Sequence, residues 1–295
     1  MENYSIFHIE GGAGKHLAAT AVAKCIQDNH PDRKLIVVCA YPEVFINLPF
    51  VWRVYRIGNT PYFYDNYIKN KKSLIFKGEP YFMTEHINGE LPLIQTWCKL
   101  FNLEYSGQSP EIIFNAKENL AFSRKWYREK PILLLHTNGG PLNNQPYLQS
   151  WTRDMPQPLA QAIVETYIND YHIIQVCRND ANALQGVEVV NETMSNLELF
   201  YLIKVSQKRI LIDSCLQHAA AALNATSLVL WVATNPQLFG YSNNINIRAN
   251  LTHEIPLPDS YLFDYNFNGS LHECPIMEGD ILFNFEQIKS SIDSL

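Results

Sequence analysis

The chain has 295 residues, of which 47% are hydrophobic, and a formal net charge of −6. This length favours two globular domains, and the acidic balance argues against a general nucleic-acid-coating surface. No apolar stretch reaches the ~20 residues that a membrane span needs, and the N-terminus lacks a secretory signal pattern, so we expect a cytoplasmic protein without a transmembrane segment. The six cysteines stand singly, without metal-ligand spacing, and predict reduced thiols and no metal.

A glycine-rich turn, EGGAGKH, follows the first apolar run of the chain, residues 6–9. It resembles the phosphate-binding loop G-x-x-x-x-G-K-[ST], but Ile9 stands where the first glycine belongs and His16 where the magnesium-binding hydroxyl belongs. The turn therefore does not indicate a nucleotide-hydrolysing enzyme. It predicts a flexible connection between a strand and a helix, which suits the close approach of a ligand.

The first half continues as a βαβ unit. Apolar residues at helical spacing predict a helix over residues 17–28, and the continuous apolar run 35–39 predicts the next strand. This order favours a parallel sheet that is buried on both faces. Residues 55–107 are rich in Tyr, Phe, Asn and Lys and have weak periodicity, so we expect loops and short helices there.

The alternation of strands and helices restarts after a connection near residues 121–130. Strands are predicted at 131–135, 172–176, 209–212 and 227–231, and helices at 159–171, 196–206, 218–223 and in 279–295. The chain is therefore expected to be an α/β protein with two Rossmann-like domains, 1–127 and 128–278. Such domains bind ligands at the carboxyl ends of their strands, in a cleft between them.

The turn after strand 209–212 has the features of a diphosphate site. The strand delivers Asp213 and Ser214 to its carboxyl end, where the next helix presents free N–H groups and its positive dipole end. Ser214 can cap this helix, and His218 lies one turn further on the same face. For Asp213 we expect helix capping or loop orientation rather than direct contact with a substrate.

The second half contains five motifs, in chain order LLLHTNGG, SWTRDMP, NLELFYLIKVSQKRILIDS, DSCLQHAAAAL and WVATNPQLFGY. Together they resemble motifs of the ADP-heptose:lipopolysaccharide heptosyltransferases, which are glycosyltransferases of the GT-B fold. The resemblance covers residues 131–241, and the N-terminal glycine turn more loosely. It implies a GT-B glycosyltransferase that moves a sugar from a nucleotide sugar to an acceptor hydroxyl without a metal or other cofactor, and a C-terminal helix that returns to the first domain.

The resemblance also implies a donor site on the second domain. Its candidate residues are Asn138, Arg153, Arg178, Asp213, Ser214, Cys215, Leu216 and His218. The helix that starts after Ser214 would cradle the pyrophosphate. Arg153 would neutralise a phosphate and can bind it bidentately, and Arg178 would lie beside the nucleoside.

On the acceptor side, the family carries an aspartate in the N-terminal glycine turn that acts as general base, whereas this chain has GGAGKH. A base is needed because a sugar hydroxyl is a weak nucleophile until its proton is being removed. His16 is the expected replacement, with Glu10 as the carboxylate alternative, and Lys15 is expected to stabilise the leaving diphosphate. The acceptor-side loop itself would consist of Gly11, Gly12 and Gly14.

These assignments have alternatives. His218 could be satisfied by a neighbouring carbonyl, His16 could be an exposed first-turn residue, and Arg153 could pair with Asp154. The chain could also be a nucleotide-sugar epimerase of the same fold, or a non-catalytic protein that binds sugar nucleotides or glycans, which the missing aspartate would fit. The acceptor could be a glycan, a lipid-linked compound or another hydroxyl compound, while the acidic net charge makes a modified DNA base the less favoured choice.

Overall fold

Two parallel β-sheets organise the chain, each at the centre of one domain. The computed structural model describes residues 2–139, 152–177, 182–190, 194–251, 276 and 280–295. Within these ranges, no helix combines the length and the apolar composition that crossing a bilayer requires.

The first domain contains a four-stranded sheet in the order β3-β2-β1-β4. Its elements are β1 (Asn3–Ile9), α1 (Ala13–Asn29), β2 (Lys34–Cys39), β3 (Arg53–Arg56), α2 (Phe63–Tyr67), β4 (Lys72–Phe76), α3 (Thr84–Ile87) and α4 (Leu93–Leu100), with short 3-10 helices at Pro42–Val44 and Pro80–Phe82. In the parallel register, Ile6 of β1 pairs with Ile36 of β2 and with Ile75 of β4.

The expectation of only loops and short helices in residues 55–107 was incomplete, because this region contributes β4 and the end of β3. Both strands lie at the edges of the sheet, where they have a neighbour on one side only. They are short, and much of their length is exposed to solvent. Edge strands of this kind carry polar residues, so they lack the continuous apolar run that identifies a central strand.

The second domain contains a six-stranded parallel sheet in the order β10-β9-β8-β5-β6-β7. Its strands are β5 (Ile132–His136), β6 (His172–Val176), β7 (Glu188–Val190), β8 (Lys208–Ile212), β9 (Leu228–Trp231) and β10 (Ile245–Arg248). Its helices are α5 (Ala116–Lys125), α6 (Gln157–Tyr167), α7 (Asn196–Val205), α8 (Cys215–Ala222), α9 (Pro236–Phe239) and α10 (Phe285–Asp293). The central strands β5, β8 and β9 are largely buried, as their apolar runs predict.

Each sheet has one point at which the strand order reverses. In the first sheet the chain runs from β1 outward to β3 and then returns to place β4 on the other side of β1. In the second sheet it runs from β5 outward to β7 and then returns to place β8 beside β5. Parallel α/β sheets bind their ligands at the carboxyl ends of the strands that flank such a reversal.

Helix α1 packs against both domains. Ten of its 17 residues are buried, and it packs against α8 of the second domain as well as against its own sheet. One apolar core therefore extends across both domains, from Phe7 and Leu17 in the first to Leu216 and Trp231 in the second.

The C-terminal helix α10 packs on the second domain, so the expectation that it returns to the first domain was wrong. Ile288 and Ile292 are fully buried against the second sheet. The ammonium group of Lys208 donates a hydrogen bond to the carbonyl of Ile292 at 2.6 Å, and the hydroxyl of Tyr167 donates to Asp293 at 2.7 Å. An apolar stripe on a helix predicts burial, but it does not specify which sheet covers the stripe.

The connection between the domains is helical up to Lys125. A capping box formed by Asn115 and Glu118 starts α5. The helix is tied to α7 because Lys204 donates a hydrogen bond to the side chain of Asn119 at 2.8 Å. Residues 116–125 therefore contact the second domain, ahead of the boundary that we expected at residue 127.

Candidate functional site

Ser214 occupies the start of α8, at the reversal point of the second sheet. Its hydroxyl oxygen accepts a hydrogen bond from the N–H of Leu216 at 3.3 Å and lies 3.0 Å from Nδ1 of His136, at the end of β5. Nε2 of His136 lies 2.9 Å from the carbonyl oxygen of Asn138, to which it donates. Nδ1 is therefore the acceptor for the Ser214 hydroxyl proton. Ser214 is the N-cap, as expected, so of the two roles expected for Asp213 the structure excludes helix capping.

The turn after β5 is held by Asp154, which the sequence indicated only as a possible partner of Arg153. Its carboxylate accepts hydrogen bonds from the side-chain amide of Asn138 at 3.1 Å and from the N–H of Gly139 at 3.3 Å. The side-chain oxygen of Asn138 accepts a bond from the hydroxyl of Thr137. Both ends of the Asn138 amide are thus engaged within the protein, in contacts that hold the turn.

His218 belongs to a buried polar network. Its Nδ1 lies 2.7 Å from the hydroxyl of Tyr241, and its Nε2 accepts a bond from the side-chain amide of Gln217 at 3.1 Å. Since Nε2 is an acceptor, Nδ1 carries the proton and the ring is neutral. Burial lowers the pKa of His218 to about 4, Asp213 opposes this effect and Arg153 adds to it. The hydrogen-bond partners of His218 are thus the side chains of Gln217 and Tyr241, and not the neighbouring carbonyl that we gave as an alternative.

Arg153 lies within electrostatic reach of the start of α8. Its guanidinium lowers the pKa of His218 and also opposes the rise in the pKa of Cys215, which burial brings to about 11. The Cys215 thiol therefore stays protonated near neutral pH and is not a nucleophile. Leu216 is fully buried, and its N–H donates to the hydroxyl of Ser214, so its side chain is part of the core.

His16 is not placed to act as a base, and it is not exposed either. The side chain is fully buried, and its Nδ1 donates to the carbonyl of Gly12 at 2.8 Å. Its Nε2 accepts a bond from the N–H of Ala40 at 3.1 Å, and burial lowers its pKa. Both ring nitrogens join the glycine turn to the end of β2, so the expected catalytic role of His16 was wrong.

Glu10 also lies apart from the candidate site. Its side chain is 63% exposed and pairs with Lys77 at 3.4 Å and with His8 at 3.6 Å. Burial lowers the pKa of His8, so among the described residues Lys77 is the cation that pairs with Glu10, and both contacts lie within the first domain. Glu10 therefore has the environment of a solvated surface carboxylate.

Lys15 extends from the first turn of α1 into an aromatic pocket. Its ammonium nitrogen lies 2.5 Å from Oε2 of Glu79 and 5.3 and 5.4 Å from the ring centres of Tyr81 and Trp97. Only 9% of the Lys15 side chain is exposed, whereas Glu79 is about one third exposed. The lysine thus combines an ion pair with two cation–π contacts.

The glycines of the turn allow the two domains to approach each other. Gly11 has a φ of +104°, which side chains rarely adopt, and Gly12 precedes α1 as its N-cap. A Cβ atom on Gly14 would lie 2.9 Å from Cδ2 of His218 and 3.2 Å from Cα of Cys215. The starts of α1 and α8 are therefore in direct contact, which places the predicted acceptor loop against the predicted donor helix.

Charged side chains of both domains affect the pKa of Tyr81. Burial raises the pKa of Tyr81, the carboxylates of Glu79 and Asp213 raise it further, and Arg153 opposes them. Tyr241 is affected in the same way by burial, Tyr81 and Asp213, which raise its pKa. We call this group the interdomain cluster: Lys15, Glu79 and Tyr81 from the first domain, and Arg153, Asp213, His218 and Tyr241 from the second.

No family model and no curated protein sequence matches the chain. Among solved structures it is similar to a glycosyl transferase family 9 protein from Veillonella parvula, with 11% identity, a TM-score of 0.69, and coverage of 99% of this chain and 96% of that one. It is also similar to E. coli ADP-heptose lps heptosyltransferase II, with 11% identity, a TM-score of 0.62, and coverage of 90% and 97%. E. coli heptosyltransferase WaaC with ADP gives 11% identity, a TM-score of 0.58, and coverage of 90% and 100%. The fold is GT-B.

This GT-B fold confirms the architecture that the sequence motifs implied. The sequence missed four residues that build the candidate site of the GT-B protein: Glu79, Tyr81, His136 and Tyr241. Arg178 lies outside the described residues. Within the described part of the chain, no group of three His, Cys, Asp or Glu side chains is arranged to hold a metal ion.

Proposed function

We propose that the protein is a glycosyltransferase that moves a sugar from a nucleotide-sugar donor to an acceptor hydroxyl. The observation that carries this proposal is the similarity to three solved family 9 and heptosyltransferase structures over at least 90% of this chain, one of them with ADP. A fold by itself does not define a reaction, so the residues at the two reversal points must support it.

The second domain offers the features that a nucleoside diphosphate requires. The N-terminus of α8 presents N–H groups and a positive dipole end, and Arg153 lies close enough to influence Cys215 at that terminus. These groups favour binding of a diphosphate and neutralisation of its charge without a metal. We therefore propose a metal-independent reaction with the donor on the second domain.

Within this site His218 is proposed as a positioning residue rather than a phosphate ligand. Both of its ring nitrogens are engaged by Tyr241 and Gln217, and Gln217 also donates to the carbonyl of Phe239. The network joins α8 to the segment that follows α9. His218 would thus fix the direction of the helix whose N-terminus meets the diphosphate.

A thermal-shift screen with ADP, UDP, GDP, CMP and their sugar conjugates tests the donor site. A ligand present at 100 times its dissociation constant adds about 2.7 kcal/mol to the free energy of unfolding if it binds only the folded state. We expect one nucleotide to stabilise the wild type, and Arg153→Gln to lose most of that stabilisation. The control is Arg124→Gln, which removes an exposed arginine of α5.

Turnover distinguishes a transferase from a binding protein. The selected sugar nucleotide is incubated with heptose-deficient lipopolysaccharide and other hydroxyl acceptors, and release of the nucleoside diphosphate is measured. Acceptor-dependent release supports the proposal. Binding without release for every acceptor would instead favour a non-catalytic protein, and an altered nucleotide sugar without an acceptor would favour an epimerase.

A further inference from the structure

The reversal point of the first sheet carries a carboxylate that the sequence did not identify. The glycine turn follows β1, and Glu79 follows β4 three residues after Phe76, so both lie at the carboxyl ends of neighbouring strands. Ligands bind at this place in parallel α/β sheets. In a two-domain arrangement with the donor on the second sheet, the acceptor belongs to this edge of the first.

Glu79 is the carboxylate of the first domain that reaches the interdomain cluster. The turn from Gly11 to His16 contains no acidic residue, His16 is engaged with the backbone, and Glu10 lies in solvent. The Oε2 atom of Glu79 binds Lys15 at 2.5 Å. Its Oε1 atom is shielded from solvent and accepts no hydrogen bond from any described residue. A shielded carboxylate oxygen without a donor calls for an explanation. Oε2 of Glu85 is also shielded and without a donor, but Glu85 pairs with Lys99 and is not part of the interdomain cluster.

The surroundings of Glu79 connect it with the donor side. Its charge and that of Asp213 act on the same Tyr81 hydroxyl, although they come from different domains. Lys15 holds one carboxylate oxygen and leaves the other for a second donor. We propose that Glu79 is the catalytic base that accepts the proton of the acceptor hydroxyl, and that Lys15 positions it; this rests on the proposed function.

The step is a single displacement. The O–H bond of the acceptor breaks and its proton passes to Oε1 of Glu79. The acceptor oxygen forms a bond to the anomeric carbon of the donor sugar, while the bond between that carbon and the diphosphate oxygen breaks. The electron pair of the broken bond leaves with the diphosphate, so no oxidant or additional reactant is needed.

The test compares Glu79→Gln with the wild type, using ADP-heptose as donor and heptose-deficient lipopolysaccharide as acceptor. Glutamine keeps the shape of the side chain but does not act as a base. We expect kcat to fall by about 100-fold or more, while the KM for the donor and the melting-temperature shift caused by ADP stay the same. The control is Glu104→Gln, which removes an exposed charge from the same domain and should leave kcat unchanged.

Two further variants keep the test decisive. Glu79→Asp retains a carboxylate and should recover part of the lost kcat, which a purely structural role would not predict; it also replaces Glu79→Gln if that variant does not fold. If Glu79→Gln keeps the wild-type kcat while Asp213→Asn loses it, the assignment of Glu79 is overturned and the transferase function stands. If the wild type itself shows no turnover with any donor and acceptor, the proposed function fails, and this inference fails with it.

Discussion

Lys15 and Glu79 lie 64 residues apart in the chain, yet their charged atoms are 2.5 Å apart at the junction of the two domains. The pair joins the helix that follows β1 to the loop that follows β4, so it fixes both sides of the first reversal point. Since the lysine is mostly buried between Tyr81 and Trp97, water screens this pair less than a surface ion pair.

A double-mutant cycle measures this contact. Lys15→Met keeps the aliphatic stem but leaves the carboxylate of Glu79 without its cation, and we expect a loss of about 1–3 kcal/mol in the free energy of unfolding. Adding Glu79→Gln removes the uncompensated charge, so the double variant should be more stable than the sum of the two single effects predicts. Urea unfolding of the four proteins gives the coupling. Additive losses would mean that the pair contributes nothing to stability.

The contact between the two helix starts depends on the absence of a side chain at Gly14. In Gly14→Ala the new Cβ would meet the ring of His218 and the backbone of Cys215, and overpacking of this kind costs about 1–3 kcal/mol. Alanine favours the helix by up to about 1 kcal/mol, which offsets part of the loss. We expect a net destabilisation together with weaker nucleotide binding, measured by urea unfolding and thermal shift. Gly12→Ala is the comparison variant: its Cβ would meet no atom within 4 Å, so it measures the loss of glycine at the N-cap of α1 without a clash between the domains.

Ser214→Ala should weaken both stability and nucleotide binding. The variant loses the helix cap and the partner of His136, at a cost of about 0.5–2 kcal/mol. Ser195→Ala removes a comparable cap from α7 and separates the two effects. It should reduce the free energy of unfolding but leave the thermal shift by nucleotide intact. Equal losses of binding in both variants would indicate general destabilisation instead of a ligand site at α8.

His218 makes the protein less stable in mild acid. Its pKa is about 4 in the folded state, compared with an ordinary value of 6.5, so between these values the unfolded chain binds more protons. Stability therefore falls as the pH drops from about 6.5 towards about 4, by up to about 3 kcal/mol from this group. Urea unfolding across this range should give a shallower pH dependence for His218→Gln than for the wild type. Parallel curves would show that His218 titrates alike in both states.

The centre of each sheet could be predicted from the sequence, whereas its edges could not. β1, β2, β5, β6, β8 and β9 contain continuous apolar runs because they are covered on both faces. β7 and β10 are edge strands of three and four residues, too short to show a period. The GT-B architecture could be predicted from the sequence because the motifs occur in the same order as the strands and turns that contain them.

The contacts that build the interdomain cluster could not be predicted from the sequence, because they join residues far apart in the chain. Glu79 belongs to the cluster because it pairs with Lys15, and Tyr241 belongs to it because its hydroxyl contacts His218. His16 was wrongly predicted to be the base because it follows the glycine turn, where the family carries its catalytic aspartate. Residues 17–23 are apolar except for Thr20, which indicates a helix that is buried on nearly all sides. A histidine at the start of such a helix is expected to form its hydrogen bonds within the protein.

The shared core around α1 also bears on how the protein unfolds. Two Rossmann-like domains joined only by a linker would melt separately. Here Leu17 and Leu216 belong to one continuous apolar cluster, so removing either domain would expose the buried face of the other. Calorimetry should therefore give a single transition, with the van't Hoff enthalpy equal to the calorimetric one. The cooperative folding unit of this protein would then be the whole chain rather than a single sheet.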